Sequence, residues 1–227
     1  MWVVVTVRQR EAMADALLPR LGEPAVKHVD ASGDVQQSHV RAWRTAAGFE
    51  SPWVGVAQDD VILCDDFAAR VRRRLAEAEV LGFSAISLYN HEHLDACLEP
   101  VHPRWSRIDL RKIGEIRRPE DQGRPIRSAL PGEQCVLVRR EVARCYESFA
   151  HRHAGLYRRF PGVHDAILGV FLNAHLSGVD DLDAITTSHV YIAIPNLVDH
   201  RVDVESTLAH PSHARARRSS SFHSGAE

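Results

Sequence analysis

Between Trp2 and Asn90 the chain alternates short β-branched runs with stretches of helical period, and this alternation limits the fold more than any single residue does. "WVVVTV" reads as a strand, and the next segment sets Ala12, Leu17, Leu18 and Leu21 at roughly helical spacing before a stop at Gly22. The order then repeats, with "AVKHVD" as strand, "GDVQQSHVRAWRTAAG" as helix and "WVGVAQDD" as strand. It continues with "FAARVRRRLAEAEVLG" as a helix capped by Asp66 and "SAISLYN" as strand. A tight hairpin reverses the chain, so strands separated by whole helices pair in parallel. The expectation is a single α/β domain, a Rossmann-type mostly parallel sheet flanked by helices, with ligands beyond the carboxyl ends of the strands.

After Asn90 the period is lost. Residues 91–131 are rich in Pro and charge and read as a long functional loop. From Arg104 to Arg127 eight Lys or Arg stand against four acids, a local excess suited to an anionic substrate. Order resumes with "EQCVLVRR" as strand, "EVARCYESFAHRH" as helix, the apolar helix "HDAILGVFLNAHLSG" and a last strand in "AITTSHVYIAIPNLVDH". The domain is expected to span residues 1–210, followed by a polar tail over 211–227.

A hydrophobic fraction of 44% over 227 residues suffices for a full core, and a net charge of -2 gives no overall attraction to nucleic acid or anionic membrane. The four cysteines are scattered without a CxxC pair, which suits reduced thiols in a cytoplasmic protein better than bridges or zinc. No segment has the pattern of a signal peptide or a membrane span. The G-x-x-x-x-G-K-[ST], G-x-G-x-x-G and G-x-S-x-G patterns are absent, which argues against P-loop, dinucleotide and serine-hydrolase chemistry.

The strand "WVGVAQDD" ends on adjacent carboxylates, Asp59 and Asp60. Two such groups repel, and a metal ion, a basic neighbour or a helix N-terminus offsets the repulsion; the alternative is a solvated turn. Asp165 opens the helix "HDAILGVFL", either as a capping carboxylate or as a general base. His200, in "NLVDHR", is either a hydrogen-bonded histidine beyond a strand or a metal ligand. "HEH" at 91–93 and "HRH" at 151–153 lack zinc-site spacing. Arg72, Arg73 and Arg74 read as a solvated helix face balanced by Glu77 and Glu79.

In the order of these segments the chain resembles the GT-A-type glycosyltransferases, particularly small enzymes of the lipopolysaccharide and procollagen sugar-transferase kind and phage-type relatives. "QDDVILCDDF" is similar to their "EDDV.L..DF" segment, with Gln58 in place of an acidic residue, a variant DxD motif. "LPGEQCVLVRREVARCYESF", "HDAILGVFL" and "IPNLVDHRVDVEST" resemble the later strand, the helix carrying a catalytic acid and the "P.LV.H.G..S" closing segment. The resemblance implies a metal-dependent transfer of a sugar from a nucleotide-sugar, most simply a UDP-sugar, to a hydroxyl acceptor such as a glycan or modified phage DNA. It would use Mn²⁺ or Mg²⁺, in the cytoplasm, or in the host cytoplasm if phage-encoded. It further implies that Asp60 and His200 hold the metal, that Asp59 supports it or touches the ribose, that Thr6, Arg8, Arg10 and Arg41 bind the nucleotide, and that Asp165 serves as acceptor base. Arg41 reads equally as a solvent-facing arginine. Two other readings stand beside this one: a catalytically silent nucleotide-binding module, favoured by Gln58, and a nucleotidyltransferase, whose Gly-rich loop is missing.

Overall fold

The computed structural model describes residues 1–22, 24–116, 134–155, 164–179, 184–201 and 222. Its centre is an eight-stranded sheet in the order β2-β1-β3-β8-β5-β9-β7-β6. The strands are β1 (Trp2–Val7), β2 (Ala25–Asp30), β3 (Trp53–Gln58), β5 (Ala85–Ser87), β6 (Leu98–His102), β7 (Trp105–Asp109), β8 (Cys135–Arg139) and β9 (Thr187–Ala193). A separate two-stranded ribbon joins β4 (Val61–Leu63) to β10 (Val198–His200). The helices are α1 (Glu11–Leu21), α2 (Val35–Gly48), α3 (Phe67–Val80), α4 (Leu110–Ile116), α5 (Arg140–Arg152) and α6 (His164–Ser177).

Strand β1 pairs in parallel with β2 and β3, and β5 pairs in parallel with β9. Strand β8 runs antiparallel between β3 and β5, and the β6–β7 hairpin closes the far edge antiparallel to β9. Following these pairings, β2, β1, β3, β5, β9 and β6 point one way, and β8 and β7 the other. The expected α/β sheet, mostly parallel and flanked by helices, is therefore present.

Period-two alternation sorts each strand between two cores. Val3, Val54, Val56, Val136 and Val138 face a layer containing Trp43 of α2, Tyr146 and Phe149 of α5 and Phe171 of α6. Trp2, Val4, Trp53, Ala57 and Leu137 face the other way, onto Leu17 and Leu21 of α1 and Phe67 and Val71 of α3. A third cluster, with Ile108, Leu110, Ile113 and Ile192, fills the hairpin end. Helix α2 starts where the Asp34 carboxylate accepts the Gln37 amide, and α6 is followed by Gly178 at φ 64°, a left-handed conformation that glycine adopts without Cβ strain.

Three expectations change. The stretch read as loop from residue 91 contains a 3₁₀ turn at Glu92–Cys97, the β6–β7 hairpin and α4; its elements are too short for periodicity to register. Residues 117–133, with the rest of the arginine-rich segment, lie outside the described residues, as does most of the 211–227 tail. Asp66 stands at the N-cap of α3 at φ 51°, but its side chain makes no cap; its backbone carbonyl accepts from Ala69 and Arg70. Arg74 is not solvated. It is 5% exposed, and its guanidinium bonds Glu77 at 3.1 Å and the Ile194 carbonyl at 3.1 Å, where core packing overrides the charge pattern.

Gly55 lies close against Trp2, because a Cβ there would stand 2.5 Å from the Trp2 indole. Overpacking at such a point typically costs ~1–3 kcal/mol. Gly55→Ala is expected to lower unfolding free energy by about that amount in urea titration. Gly48→Ala, with nothing within 4 Å of the added methyl, should stay within about 1 kcal/mol of the parent.

Candidate functional site

The parallel register of β1 and β3 pairs Val5 with Gln58, so the next position along sets Thr6 opposite Asp59. Both lie on the α1/α3 face, by the same alternation that turns Trp2, Val4, Trp53 and Ala57 that way. The Thr6 hydroxyl donates to Asp59 Oδ2 at 2.6 Å. Beyond β1 the chain makes a single 3₁₀ turn, Arg8–Arg10, which returns the Arg10 guanidinium over the carboxylates. Arg10 Nε donates to Asp59 Oδ2 at 3.0 Å, its Nη2 pairs with Asp59 Oδ1, and its Nη1 reaches Asp60 Oδ2 at 3.2 Å. Among the described residues, then, the group that offsets the carboxylate pair is a basic neighbour.

Asp59 is 1% exposed, and burial pushes its carboxyl above the ordinary carboxylate range. The Thr6 hydroxyl and the Arg10 charge pull it back, while Asp60 adds to the rise; the net direction is upward. With both oxygens engaged by Thr6 and Arg10, Asp59 holds the guanidinium in position.

The second half of the site arrives through the ribbon. Val198, Asp199 and His200 pair with Leu63, Ile62 and Val61, and the Arg201 amide continues the ladder onto the Asp60 carbonyl at 2.8 Å. His200 is thereby fixed beside Asp60, 3% exposed, with Nε2 3.5 Å from Asp60 Oδ1. Its Nδ1 lies 2.7 Å from the Arg201 carbonyl oxygen. An oxygen acceptor there calls for a proton on Nδ1, which in the neutral ring leaves the Nε2 lone pair facing the carboxylate. Asp60 Oδ1 is buried with no hydrogen-bond donor among the described residues. Gln134 Oε1 and Asn90 Oδ1, where β8 begins and just beyond β5, are in the same condition along that edge.

Two acceptors facing each other need a proton or a cation. A protonated His200 closes the pair as an ion pair; a divalent ion takes an imidazole nitrogen and a carboxylate oxygen together, and a ligating histidine commonly donates its other nitrogen to a backbone carbonyl. Asp60 and His200 fit a two-ligand metal edge. Among the described residues no group of three His, Cys, Asp or Glu side chains has the arrangement of a complete protein cage, so ligand oxygens would fill the remaining positions.

The structure thus brings Thr6, Arg10, Asp59, Asp60 and His200 together. Arg8 is exposed on the 3₁₀ turn, and Arg41 is exposed on α2, bonded to Gln37 at 3.1 Å, with its charge felt at His28. Asp165 occupies the first turn of α6, and its side chain lies outside the described residues. Sequence reading missed the β4–β10 pairing that carries His200 to Asp60. The alternation "VIL" and "LVDH" on either side is too short to announce it.

No family model matches the chain, and no curated protein is similar to it. Among solved structures, A197 from STIV aligns with a TM-score of 0.46 and 11% identity, covering 89% of this chain and 85% of that one. Among the described residues no helix is long and apolar enough to cross a membrane.

Removing one partner of a buried ion pair typically costs ~3–5 kcal/mol, because the remaining charge is left desolvated. Arg10→Ala is therefore expected to destabilise strongly at pH 7.5. Asp59 already binds its proton more tightly in the native state than the unfolded chain does, and losing Arg10 raises that preference further. Stability from this group then increases as pH falls through the raised native value, so the cost of Arg10→Ala should shrink between pH 7.5 and pH 5. Paired urea titrations at the two pH values measure this; an unchanged cost would mean that the carboxylates are not what the guanidinium holds.

Proposed function

We propose that this protein is a metal-dependent glycosyltransferase moving a sugar from a nucleotide-sugar, of the UDP class, to a hydroxyl acceptor. The observation that carries the reading is the buried Asp60 Oδ1 facing His200 Nε2 at 3.5 Å, just past the carboxyl end of a parallel strand. The order of motifs resembling GT-A enzymes supports it. Asp60 and His200 would hold Mn²⁺ or Mg²⁺, which when bound offsets the charge developing on a departing diphosphate. Thr6 and Asp59 hold Arg10, and Arg10 keeps one oxygen of Asp60 engaged so that the other points toward His200. Asp165 takes the proton of the acceptor hydroxyl in an inverting transfer and orients the acceptor in a retaining one. The acceptor is a glycan or a modified DNA, and binding that weakens steeply with salt marks the DNA.

One observation favours a second reading, a silent nucleotide-binding module: Arg10 already neutralises the carboxylates, with Gln58 where the resembling motif has an acid.

Calorimetric titration of UDP, GDP, CDP and ADP with and without Mn²⁺ separates the two. The transferase reading expects one nucleotide to bind only with metal, and Asp60→Asn and His200→Gln to weaken Mn²⁺ binding by about tenfold or more with melting preserved. Transfer from the matching nucleotide-sugar should be nearly lost in Asp60→Asn. Nucleotide binding indifferent to metal would favour the silent module, and no nucleotide binding at all would defeat both readings.

A further inference from the structure

Helix α3 turns Arg70, Arg73 and Arg74 toward one cleft, at the i, i+3 and i+4 spacing that gathers side chains on one helix face. Arg104, from the turn between β6 and β7, enters the same cleft, and Leu197, just before β10, completes its lining. Four arginines from two separate segments thus line one small concavity. Such a gathering of like charge is unfavourable unless anions answer it. Glu77 answers in part, accepting from Arg74 Nη1 at 3.1 Å and Arg104 Nη1 at 3.0 Å. Its Oε2 also accepts from Trp105 Nε1, at 3.2 Å. Arg73, exposed at the rim, makes no hydrogen bond or ion pair with a described residue.

Arg70 and Arg74 are buried, 7% and 5% exposed, so half of the cluster is rigid and desolvated while Arg73 and Arg104 remain accessible. Arg74 is locked further by the Ile194 carbonyl at 3.1 Å. A buried inner pair beside an accessible outer pair suits a tetrahedral oxyanion, which takes several N–H donors in fork geometry at a partly desolvated site. The cleft is shallow, its roughly 250 Å³ counting the open solvent at its mouth, so an anion would be held at the mouth, and there is no walled space for a base or a sugar ring.

We propose that this cleft is a binding site for a single phosphoryl group, separate from the Asp60–His200 pair. The β4–β10 ribbon sets the separation. Its one end holds Asp60 and His200; its other end holds Cys64 and Leu197, joined by the Cys64 amide on the Leu197 carbonyl at 3.1 Å. The three residue steps from Leu197 to His200 amount to about 10 Å along the strand. The phosphoryl group would be that of free phosphate or of a phosphomonoester, and the site needs no metal.

The test is calorimetric titration of the full chain with inorganic phosphate at low ionic strength, repeated with glycerol 3-phosphate and with a short DNA duplex. Arg73→Gln and Arg104→Gln, both at exposed positions, leave the fold intact by melting temperature. The expected result is saturable phosphate binding, weakened about tenfold or more in the double variant and unchanged in Asp60→Asn. Glycerol 3-phosphate binding as tightly as phosphate, or more tightly, identifies a phosphomonoester as the source; markedly weaker binding identifies free phosphate. The proposal is overturned if phosphate does not bind, if the double variant binds as the parent does, if Asp60→Asn or Mn²⁺ changes the affinity, or if only the duplex binds. Because the readout is phosphate binding without nucleotide or metal, its outcome is independent of the glycosyltransferase reading.

Discussion

A pair of adjacent carboxylates buried at the edge of a sheet is the constraint around which this structure is organised. Neither Asp59 nor Asp60 is more than 6% exposed, and two buried like charges in sequence are unfavourable without a cation held on them. The chain supplies one from its first turn after β1. That arrangement ties together the parallel register of β1 and β3, the Thr6 hydroxyl and the 3₁₀ turn that reverses Arg10. A shift of that register by one residue would put Thr6 on the opposite face and leave Asp59 without its hydroxyl partner. The electrostatics of the site and the pairing of the sheet therefore specify each other.

The two carboxylates end up chemically unlike. Asp59 is enclosed by groups of the protein and works as a strut. Asp60 is divided, with one oxygen on Arg10 and the other facing His200. This asymmetry arises from direction: Thr6 and Asp59 share a face of the sheet, while Asp60, one residue on, turns toward the ribbon. The DD pair thus places two neighbouring carboxylates in two different environments.

Apart from the three-residue β4, the first ninety residues declare their fold plainly, because the strands carry β-branched residues and each helix is long enough to show its period. The apolar face of α2, for example, carries Val40, Trp43 and Ala47 at helical spacing. The same reading failed over residues 92–116, where a 3₁₀ turn, a five-residue hairpin pair and a short helix each hold too few residues to repeat a pattern. Within the site, Thr6, Arg10, Asp59, Asp60 and His200 were all legible as candidates, but their mutual contacts were not. Contact between β4 and β10 depends on three-residue strands far apart in the chain, and local sequence has no way of announcing such a pairing. Arg74 marks the opposite error: a run of three arginines suggests solvent, yet helical geometry buries one of the three against the Ile194 carbonyl.

The site is assembled from residues 6–10, 59–60 and 200, so its parts emerge from the ribosome at very different times. At a synthesis rate of roughly 5–20 residues per second, several seconds separate the carboxylates from the imidazole. Arg10 precedes both aspartates in the chain, so their counter-charge has been synthesised before they are. His200 is made last of these residues and reaches Asp60 through the β4–β10 ribbon. The order of translation thus matches the order of electrostatic need: the counter-charge comes first, the carboxylates second and the imidazole last.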